Sequence, residues 1–412
     1  MMHRGLPTPQ PGKSIFDPLF GPPGRRYISA MPTSLGHVVE LLESIAPPGF
    51  AADWDNVGLL LEPAAAAEPA SRRAQPVSRA LLTIDLTGAV LEEALEQRAE
   101  LVVAYHPPIF RGLKRLTADA PQSRVLLTAV RAGIAIYSPH TALDAAPGGV
   151  NDWLAAALGE GESAPIEQSF EGDEFKLVVF VPEENVVELR DALATEAGAG
   201  WIGNYSHCSY NLGGHGTFLG HEGTNPAVGQ SGQIETVDEI RMEMVCDRRQ
   251  LSHAAEVIRR VHPYEEPAWD VYPLAQKPRP GSGMGRLVTL REQAKLDVLV
   301  ARIKSHLGLE RVRVAAAPEH RSGAPIGRAA VCAGAGGSLF EKLRGPELLL
   351  TGEMRHHDVL ARVATGTSVV LCDHTNTERG YLPTLAERLV ELAGGKLSAV
   401  VSKRDRDPLE IV

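Results

Sequence analysis

The sequence predicts an α/β protein in which a largely parallel sheet has helices on both faces and is interrupted by a ferredoxin-like α+β insert. In the first and the last third of the chain, short buried-strand runs such as LVVAYH and SVVLCDH alternate with helix-length segments. The middle of the chain instead has the order strand, helix, Gly-rich hairpin, strand, helix, strand. We therefore expect one discontinuous larger domain around a smaller one.

Changes in composition predict the domain boundaries. Residues 1–33 are rich in Pro and Gly and are predicted to form a disordered leader. The larger α/β domain is predicted at 34–165 and 285–412, and the insert at 170–275. Two further stretches interrupt the pattern: Ala64–Pro76, which contains two prolines, predicts a surface loop, and the Pro- and Gly-rich Gln276–Gly285 predicts an interdomain linker.

The first third shows the alternation most clearly. Leu81–Asp85 is predicted to be a strand, and Thr87 to cap a helix that runs to about Arg98. The next strands are predicted at Leu101–His106 and Ile134–His140. Parallel sheets of this kind bind ligands beyond the carboxyl ends of their strands, so those ends are where function is expected.

Composition and charge restrict the classes of partner. The 412 residues are 44% hydrophobic and 22% charged, as in ordinary globular proteins, and the net charge is -10. We find no basic patch, so nucleic acid is not expected as a partner. The four cysteines are far apart, which predicts reduced thiols and no sulfur-bound zinc. No apolar run approaches a membrane span, and no signal peptide is evident, so we expect a cytoplasmic protein with no membrane partner.

Metal-capable side chains follow three predicted strands of the larger domain. One strand ends in two of them, and each of the others ends in a histidine with a carboxylate four residues later. The second carboxylate is predicted near the start of a helix that Thr377 would cap, and the first in a loop. If the strands are neighbours, these side chains converge at one edge of the sheet. They are Tyr105, His106, His140, Asp144, His374 and Glu378.

Imidazole and carboxylate groups together suit divalent Zn, Mn, Fe or Co, with one or two ions per subunit. Carboxylates can bridge two ions, and such a pair can activate a water molecule for hydrolysis. The alternative is that each strand-end residue only makes hydrogen bonds, because a chain with 14 histidines produces chance neighbours.

Three weaker candidates have competing structural explanations. Glu353 could orient the metal ligands, whereas His356 and His357 could equally only begin a surface helix. The glycine turn Cys332–Ser338 could hold phosphate, although it lacks the Walker lysine and is better explained as a tight turn. Histidines in the insert could bind metal or could simply be solvated; they are His207, His215 and His221.

Several motifs in order identify a resemblance. DWDNVGLLLE, YHPPIF, SPHTALDAAPGGVNDWL, LLLTGEMRHHDVL and LCDHTNTERGYL resemble the Nif-three-like family, also known as GTP cyclohydrolase 1 type 2 homologues or dinuclear metal-centre proteins. The central block resembles the regulator-type ferredoxin-like insert of its longer members. The resemblance implies a homo-hexameric ring with metal sites that face an inner cavity. The metal ligands that it implies are His106, Asp144, His374 and Glu378.

One residue departs from that pattern. Bacterial members usually have two adjacent histidines where this chain has Tyr105 and His106. The phenol must therefore ligate a metal, hydrogen-bond to metal-bound water, or leave that ion weakly held.

The leading hypothesis is a metal-dependent hydrolase that uses a metal-activated water on a nucleotide-like or other small substrate. Tyr105, His140 and Glu353 are then candidates for catalytic proton transfer or for orienting the ligands. The competing hypothesis is a non-catalytic, metal-stabilised hexameric regulator or scaffold, whose insert senses a small-molecule effector or binds a partner.

Overall fold

The computed structural model describes residues 33–63, 75–171 and 174–410. Of the predicted leader only Thr33 lies within these ranges, and of the predicted loop at Ala64–Pro76 only the last two residues do. No helix in the described ranges is long and apolar enough to cross a membrane. Numbered along the chain, the helices are α1 (Leu35–Ile45), α2 (Gly88–Glu96), α3 (Pro121–Ala132), α4 (His140–Ala145), α5 (Val150–Ala156), α6 (Val186–Thr195), α7 (Leu251–Val261), α8 (Leu296–Leu307), α9 (Pro318–Arg321), α10 (Gly337–Phe340), α11 (His356–Ala364) and α12 (Leu382–Leu392).

The first sheet has the order β19-β4-β5-β6-β2. Its first four strands are parallel, and β2 pairs antiparallel at the edge. The predicted cap is confirmed, because the Thr87 hydroxyl accepts a hydrogen bond from the Val90 N–H at the start of α2. The strands are β2 (Gly58–Leu61), β4 (Arg79–Thr83), β5 (Leu101–Ala104), β6 (Ala135–Ser138) and β19 (Ser398–Val401).

The second sheet has the order β15-β18-β17-β16-β14-β7, and only β16, β17 and β18 are parallel. The predicted strands therefore belong to two mixed sheets rather than to one largely parallel sheet. One parallel group joins β4, β5 and β6 from the first half of the chain to β19 from its end, the other consists of β16, β17 and β18, and antiparallel strands extend both sheets at their edges. The strands are β7 (Gly161–Ala164), β14 (Arg286–Ala294), β15 (Arg313–Ala315), β16 (Ile326–Cys332), β17 (Leu348–Thr351) and β18 (Ser368–Leu371).

The inner faces of both sheets share one apolar cluster. Val103 of β5 and Leu350 of β17 belong to it, together with side chains of α1, α4, α5, α8 and α12. Alternate residues of the same strands pack in the opposite direction against outer helices: Val102 toward α2 and α3, and Leu349 toward α10. Strands covered on both faces are expected to be continuously apolar, as these are. The shared cluster brings the carboxyl ends of the two parallel groups together.

The middle of the chain forms a separate sheet of β9 (Glu174–Val181), β10 (Tyr210–Leu219), β11 (Ile234–Asp247) and β12 (Trp269–Pro273). All pairs are antiparallel, in the order β10-β11-β9-β12. Helices α6 and α7 pack on one face of this sheet, and the side chains between the helices and the sheet form a separate apolar cluster.

The segment predicted as a linker at Gln276–Gly285 connects the middle sheet to β14 and has regular structure, because β13 (Lys277–Met284) pairs antiparallel with β8 (Glu167–Glu171). The chain therefore enters and leaves the middle sheet through a two-stranded ribbon. A register shift between Pro278 and Gly283 accommodates the prolines, which have no N–H to donate. A second small ribbon joins β1 (Thr33–Ser34) to β3 (Pro76–Val77).

His262, at the end of α7, is expected to make the middle sheet and its helices sensitive to acid. Its Nε2 lies 2.9 Å from the Phe180 carbonyl oxygen, and its Nδ1 accepts the Tyr264 N–H at 3.1 Å. Only the neutral imidazole can donate from Nε2 and accept at Nδ1 at the same time, because the protonated ring has no acceptor nitrogen. Burial lowers the pKa of His262 and outweighs the hydrogen bond to Phe180, which raises it. Because the folded pKa lies below the unfolded one, the stabilisation is present above about pH 6.5 and is lost as the pH falls through the folded value.

Hydrogen exchange provides the measurement. We expect protection of the β9 and α7 amides, corrected for intrinsic exchange rates, to fall between pH 7 and pH 5 in the native chain. His262→Gln has no imidazole to protonate, so its protection should depend less on pH. Equal pH dependence in both proteins would contradict this explanation.

Candidate metal centre

Three metal-capable side chains from the two sheets meet at one point. Nε2 of His106, after β5, lies 3.4 Å from Oε2 of Glu378. Nε2 of His374, after β18, lies 3.3 Å from Oε1 of the same carboxylate. One ligand atom from each residue lies within 4.8 Å of the others, in the one such group found among the described residues. Two imidazoles and a carboxylate form a donor set that divalent transition metals accept.

The carboxylate of Glu378 fits a bound cation. The residue is 3% exposed, and its Oε2 has no hydrogen-bond partner. A buried carboxylate oxygen without a partner is unfavourable unless a cation compensates it. Gly334 leaves room beside it, because a Cβ there would lie 2.8 Å from Glu378 Oε1 and 3.0 Å from His374 Nε2. The unpartnered carboxylate oxygen and the space beside it therefore fit a bound metal ion.

Replacing Gly334 by alanine is expected to weaken metal binding by at least about tenfold, because the new methyl group would crowd two ligand atoms. Gly334 also has a positive φ of 63°, so alanine adds backbone strain of about 1–2 kcal/mol. Gly308→Ala is the matched control, since Gly308 has φ 68° and open space around it. Metal titration of both variants separates crowding from strain. Equal affinities would contradict the proposed position of the ion.

Asp85 orients His106. Its Oδ1 lies 3.0 Å from His106 Nδ1, which directs Nε2 toward Glu378. The hydrogen bond with His106 lowers the pKa of Asp85, against an opposing effect of burial. Burial alone would lower the pKa of His106, but the hydrogen bond with Asp85 and the nearby carboxylates of Glu378 and Asp85 raise it to about 10. The negative charges of the two carboxylates thus favour positive charge at the His106 ring.

Sequence reasoning missed Asp85, although a usable signal existed. Asp85 follows β4 as His106 follows the neighbouring β5. The same strand-end rule applied to β4 would have found it.

Glu353 lies beside the other imidazole. Its Oε2 is 3.5 Å from His374 Nδ1, and its side chain is about half exposed. The neighbouring His356 and His357 are exposed at the start of α11, so the surface-helix interpretation of this pair is confirmed.

Tyr105 and Asp144 form a buried pair next to this cluster. The Tyr105 hydroxyl donates to Asp144 Oδ1 at 2.5 Å. Burial, together with the charges of Asp144 and Glu378, raises the pKa of Tyr105 well above its usual value. Burial and the charge of Glu378 raise the pKa of Asp144 to about 6, despite the hydrogen bond from Tyr105. Asp144 lies outside the three-residue group. Tyr105 is a neutral hydrogen-bond donor to Asp144.

Asp144 lies within α4, so the loop predicted around it is wrong. The reason is a distant carboxylate: Oδ2 of Asp55 accepts the Thr141 N–H at 3.1 Å, and Oδ1 lies 2.7 Å from His140 Nδ1. This holds the first turn of α4 and the His140 ring, which lies 5.4 Å from the His106 ring between centroids. Sequence reasoning missed Asp55, because 85 residues separate it from His140 and no spacing rule joins them.

Thr377 does not cap a helix as predicted. Glu378 lies between two 3-10 turns, Thr375–Thr377 and Arg379–Tyr381, and α12 begins only at Leu382. The Thr377 hydroxyl donates to the His374 carbonyl oxygen at 2.7 Å and accepts the Gly334 N–H at 2.8 Å. It therefore ties the turn after β16 to the loop that carries the ligands.

The glycine turn Cys332–Ser338 is a tight structural turn, as the sequence predicts. Three of its N–H groups already have side-chain acceptors: Ala333 on Asn151, Gly334 on Thr377 and Gly336 on Thr351. In the middle of the chain, His207 contacts Ser206 and His215 contacts Asp238, both at the exposed surface. No metal-capable group forms around these histidines in the described part of the chain.

Comparison with known proteins identifies the family. The model of the Duf34/NIF3 (NGG1p interacting factor 3) family matches residues 33–408, which include both sheets and every residue of the centre. The chain belongs to this family. Duf34/NIF3 relatives include NIF3-like protein 1 of Bos taurus, 35% identical over 371 residues, with 90% of each chain covered. The GTP cyclohydrolase 1 type 2 homolog of Halalkalibacterium halodurans is 33% identical over 380 residues, which are 91% of this chain and 98% of the relative.

Solved Duf34/NIF3 structures support the same assignment. A Bacillus cereus protein related to NIF3 is similar with a TM-score of 0.64 and 31% identity, over 92% of this chain and 99% of the other. A Staphylococcus aureus protein has a TM-score of 0.69 and 25% identity over the same shares. The family resemblance inferred from the sequence motifs is therefore confirmed.

Proposed function

We propose that this Duf34/NIF3 member is a metal-dependent hydrolase that uses a metal-activated water on a nucleotide-like or other small substrate. The observation that carries the proposal is the cluster of His106, His374 and Glu378, in which a buried carboxylate oxygen has no hydrogen-bond partner. A bound cation would compensate that oxygen, which otherwise has His106 Nε2 beside it at 3.4 Å.

These three residues would hold one divalent ion. Asp144 lies close enough to Glu378 for their charges to interact, so the two carboxylates are the pair that would serve a second ion. A bound divalent ion supplies Lewis acidity and lowers the pKa of water. The donor set fits Zn, Mn, Fe or Co.

The protein groups around the cluster have separate tasks. Asp85 and Glu353 hold the outer nitrogens of His106 and His374, which leaves each Nε2 directed at Glu378. Tyr105 keeps its proton, and its hydroxyl donates a hydrogen bond to Asp144 Oδ1, which fixes the position of that carboxylate. His140, held by Asp55, lies at the edge of the cluster and is the candidate for proton transfer with substrate.

We further propose the predicted domain organisation: a larger domain at 34–165 and 285–412, with a ferredoxin-like insert at 170–275. The insert assignment is supported by the strand, helix, strand, strand, helix, strand order and by the antiparallel sheet order β10-β11-β9-β12. We also propose the homo-hexamer that the family resemblance implies, and a cytoplasmic location.

A regulator or scaffold is the second candidate. The middle domain has an apolar core of its own and exposes large side chains such as Tyr210, Leu212 and Ile234, as a sensing or binding module would. Deleting Phe175–Leu274 discriminates between the two candidates. Retained turnover favours the enzyme, whereas loss of ligand response with metal content intact favours the regulator.

The direct test of the enzyme is a substrate screen. Metal-loaded protein is incubated with pooled nucleotides and metabolites, and consumption of each compound is followed by mass spectrometry. We expect turnover that the variant His374→Ala plus Glu378→Ala does not show. Turnover unchanged in that variant would exclude the centre as its cause.

A further inference from the structure

A cleft of about 810 Å³ adjoins the metal centre. Asp85 and His106 are among the residues that line it, together with residues of α2 and of the first turns of α3. A cavity of this size accommodates a nucleotide-sized molecule. Because the cleft includes the imidazole that would hold the ion, a molecule bound there would have one end at the reactive position.

The walls of the cleft are partly apolar. The apolar lining residues include Leu91 and Leu95 of α2, Val125 of α3, and Pro107 and Pro108 directly after His106 in the chain. Rigid apolar surfaces of this kind suit a flat or hydrocarbon part of a ligand. The apolar walls therefore predict that the ligand has a flat or hydrocarbon part.

Both arginines that line the cleft lack a carboxylate partner among the described residues. Of the two acidic residues, Asp85 is paired with His106 at 3.0 Å, and Glu92 lies 3.7 Å from Arg404, which also pairs with Glu96 at 2.6 Å. Of its two arginines, Arg406 has no ion pair among the described residues. Arg124 directs one nitrogen at the carbonyl oxygens of Ala118 and Asp119, so its position is held and its charge is not cancelled by a carboxylate.

We propose that this cleft binds a phosphate-bearing small molecule, with Arg124 and Arg406 as the phosphate-binding residues and the metal centre adjoining it. The inference rests on the proposed function and narrows its substrate class. Guanidinium groups are the side chains best suited to phosphate recognition, because they donate several fixed hydrogen bonds to its oxygens. The apolar walls then hold the rest of the molecule with its reactive bond toward His106.

Calorimetry with the full-length, metal-loaded protein tests the proposal. The probes are the four ribonucleoside 5′-monophosphates, the corresponding uncharged nucleosides and inorganic phosphate. We expect at least one monophosphate to bind about tenfold or more tightly than its nucleoside, and added salt to weaken that preference. Arg124→Ala and Arg406→Ala should each weaken its binding by about tenfold or more.

Arg131→Ala is the matched control, because Arg131 is exposed in the last turn of α3 and does not line the cleft. Its effect should stay within about twofold, and all three variants should keep the native metal content. The proposal is overturned if nucleosides bind as tightly as monophosphates, if no probe binds, or if Arg131→Ala weakens binding equally. Failure of the proposed function is visible separately, as native protein that takes up no metal.

Discussion

The bound divalent metal is expected to fall to background when His374 and Glu378 are both replaced by alanine. The change removes two of the three clustered ligands and leaves only His106. Loss of a single partner that merely orients a ligand already costs about 10–100-fold in affinity, so loss of two ligands should cost more than about 100-fold. The metal content of purified protein, measured by mass spectrometry, provides the test.

The same variant should lose the stabilisation that metal provides. A ligand present at about 100 times its dissociation constant stabilises the folded state by about 2.7 kcal/mol, which a thermal unfolding experiment with and without metal detects. His356→Ala plus His357→Ala is the control, because both residues are exposed at the start of α11. If the first variant retained native metal content, these ligands would be wrong.

The second large effect concerns a buried ion pair that joins the first half of the chain to the second. Asp152→Ala is expected to lower the free energy of unfolding by about 3–5 kcal/mol. Arg286 is 1% exposed, and its Nε and Nη2 donate to the Asp152 carboxylate at 2.5 and 3.0 Å. Its remaining partners are backbone carbonyl oxygens, among them those of Gly283 and Gly285 at 2.7 Å. Arginine cannot neutralise itself by losing a proton, so the variant would leave a buried charge without a counter-ion.

Glu160→Ala provides a matched control for this experiment. Glu160 pairs with Arg291, which also joins the first half of the chain to the second, but both side chains are about three quarters exposed. Solvent-exposed pairs contribute about 1 kcal/mol or less. Urea unfolding of both variants should therefore show a large change for Asp152→Ala and a small one for Glu160→Ala. Similar changes would mean that burial of Arg286 does not govern the contribution of this ion pair to stability.

The part of the site that could be predicted consists of groups at strand ends. The apolar runs before His106 and His374 mark the strands, and the end of a parallel strand is a ligand-binding position on any such sheet. The part that could not be predicted depends on contacts between distant segments. Asp55 reaches His140, and Gly334 lies against Glu378 and His374, although nothing in the spacing of these residues links them.

The sequence by itself determined the strand and helix alternation, the metal-capable residue types at the strand ends and the family. These depend on local periodicity and on motifs, which each segment carries independently of the rest. Only the tertiary structure decided that the strands form two sheets, that His106 and His374 come from different ones, and that Tyr105 donates to Asp144. The physical reason is that apolar side chains from both halves are buried in one shared cluster, and no local pattern specifies which buried faces meet.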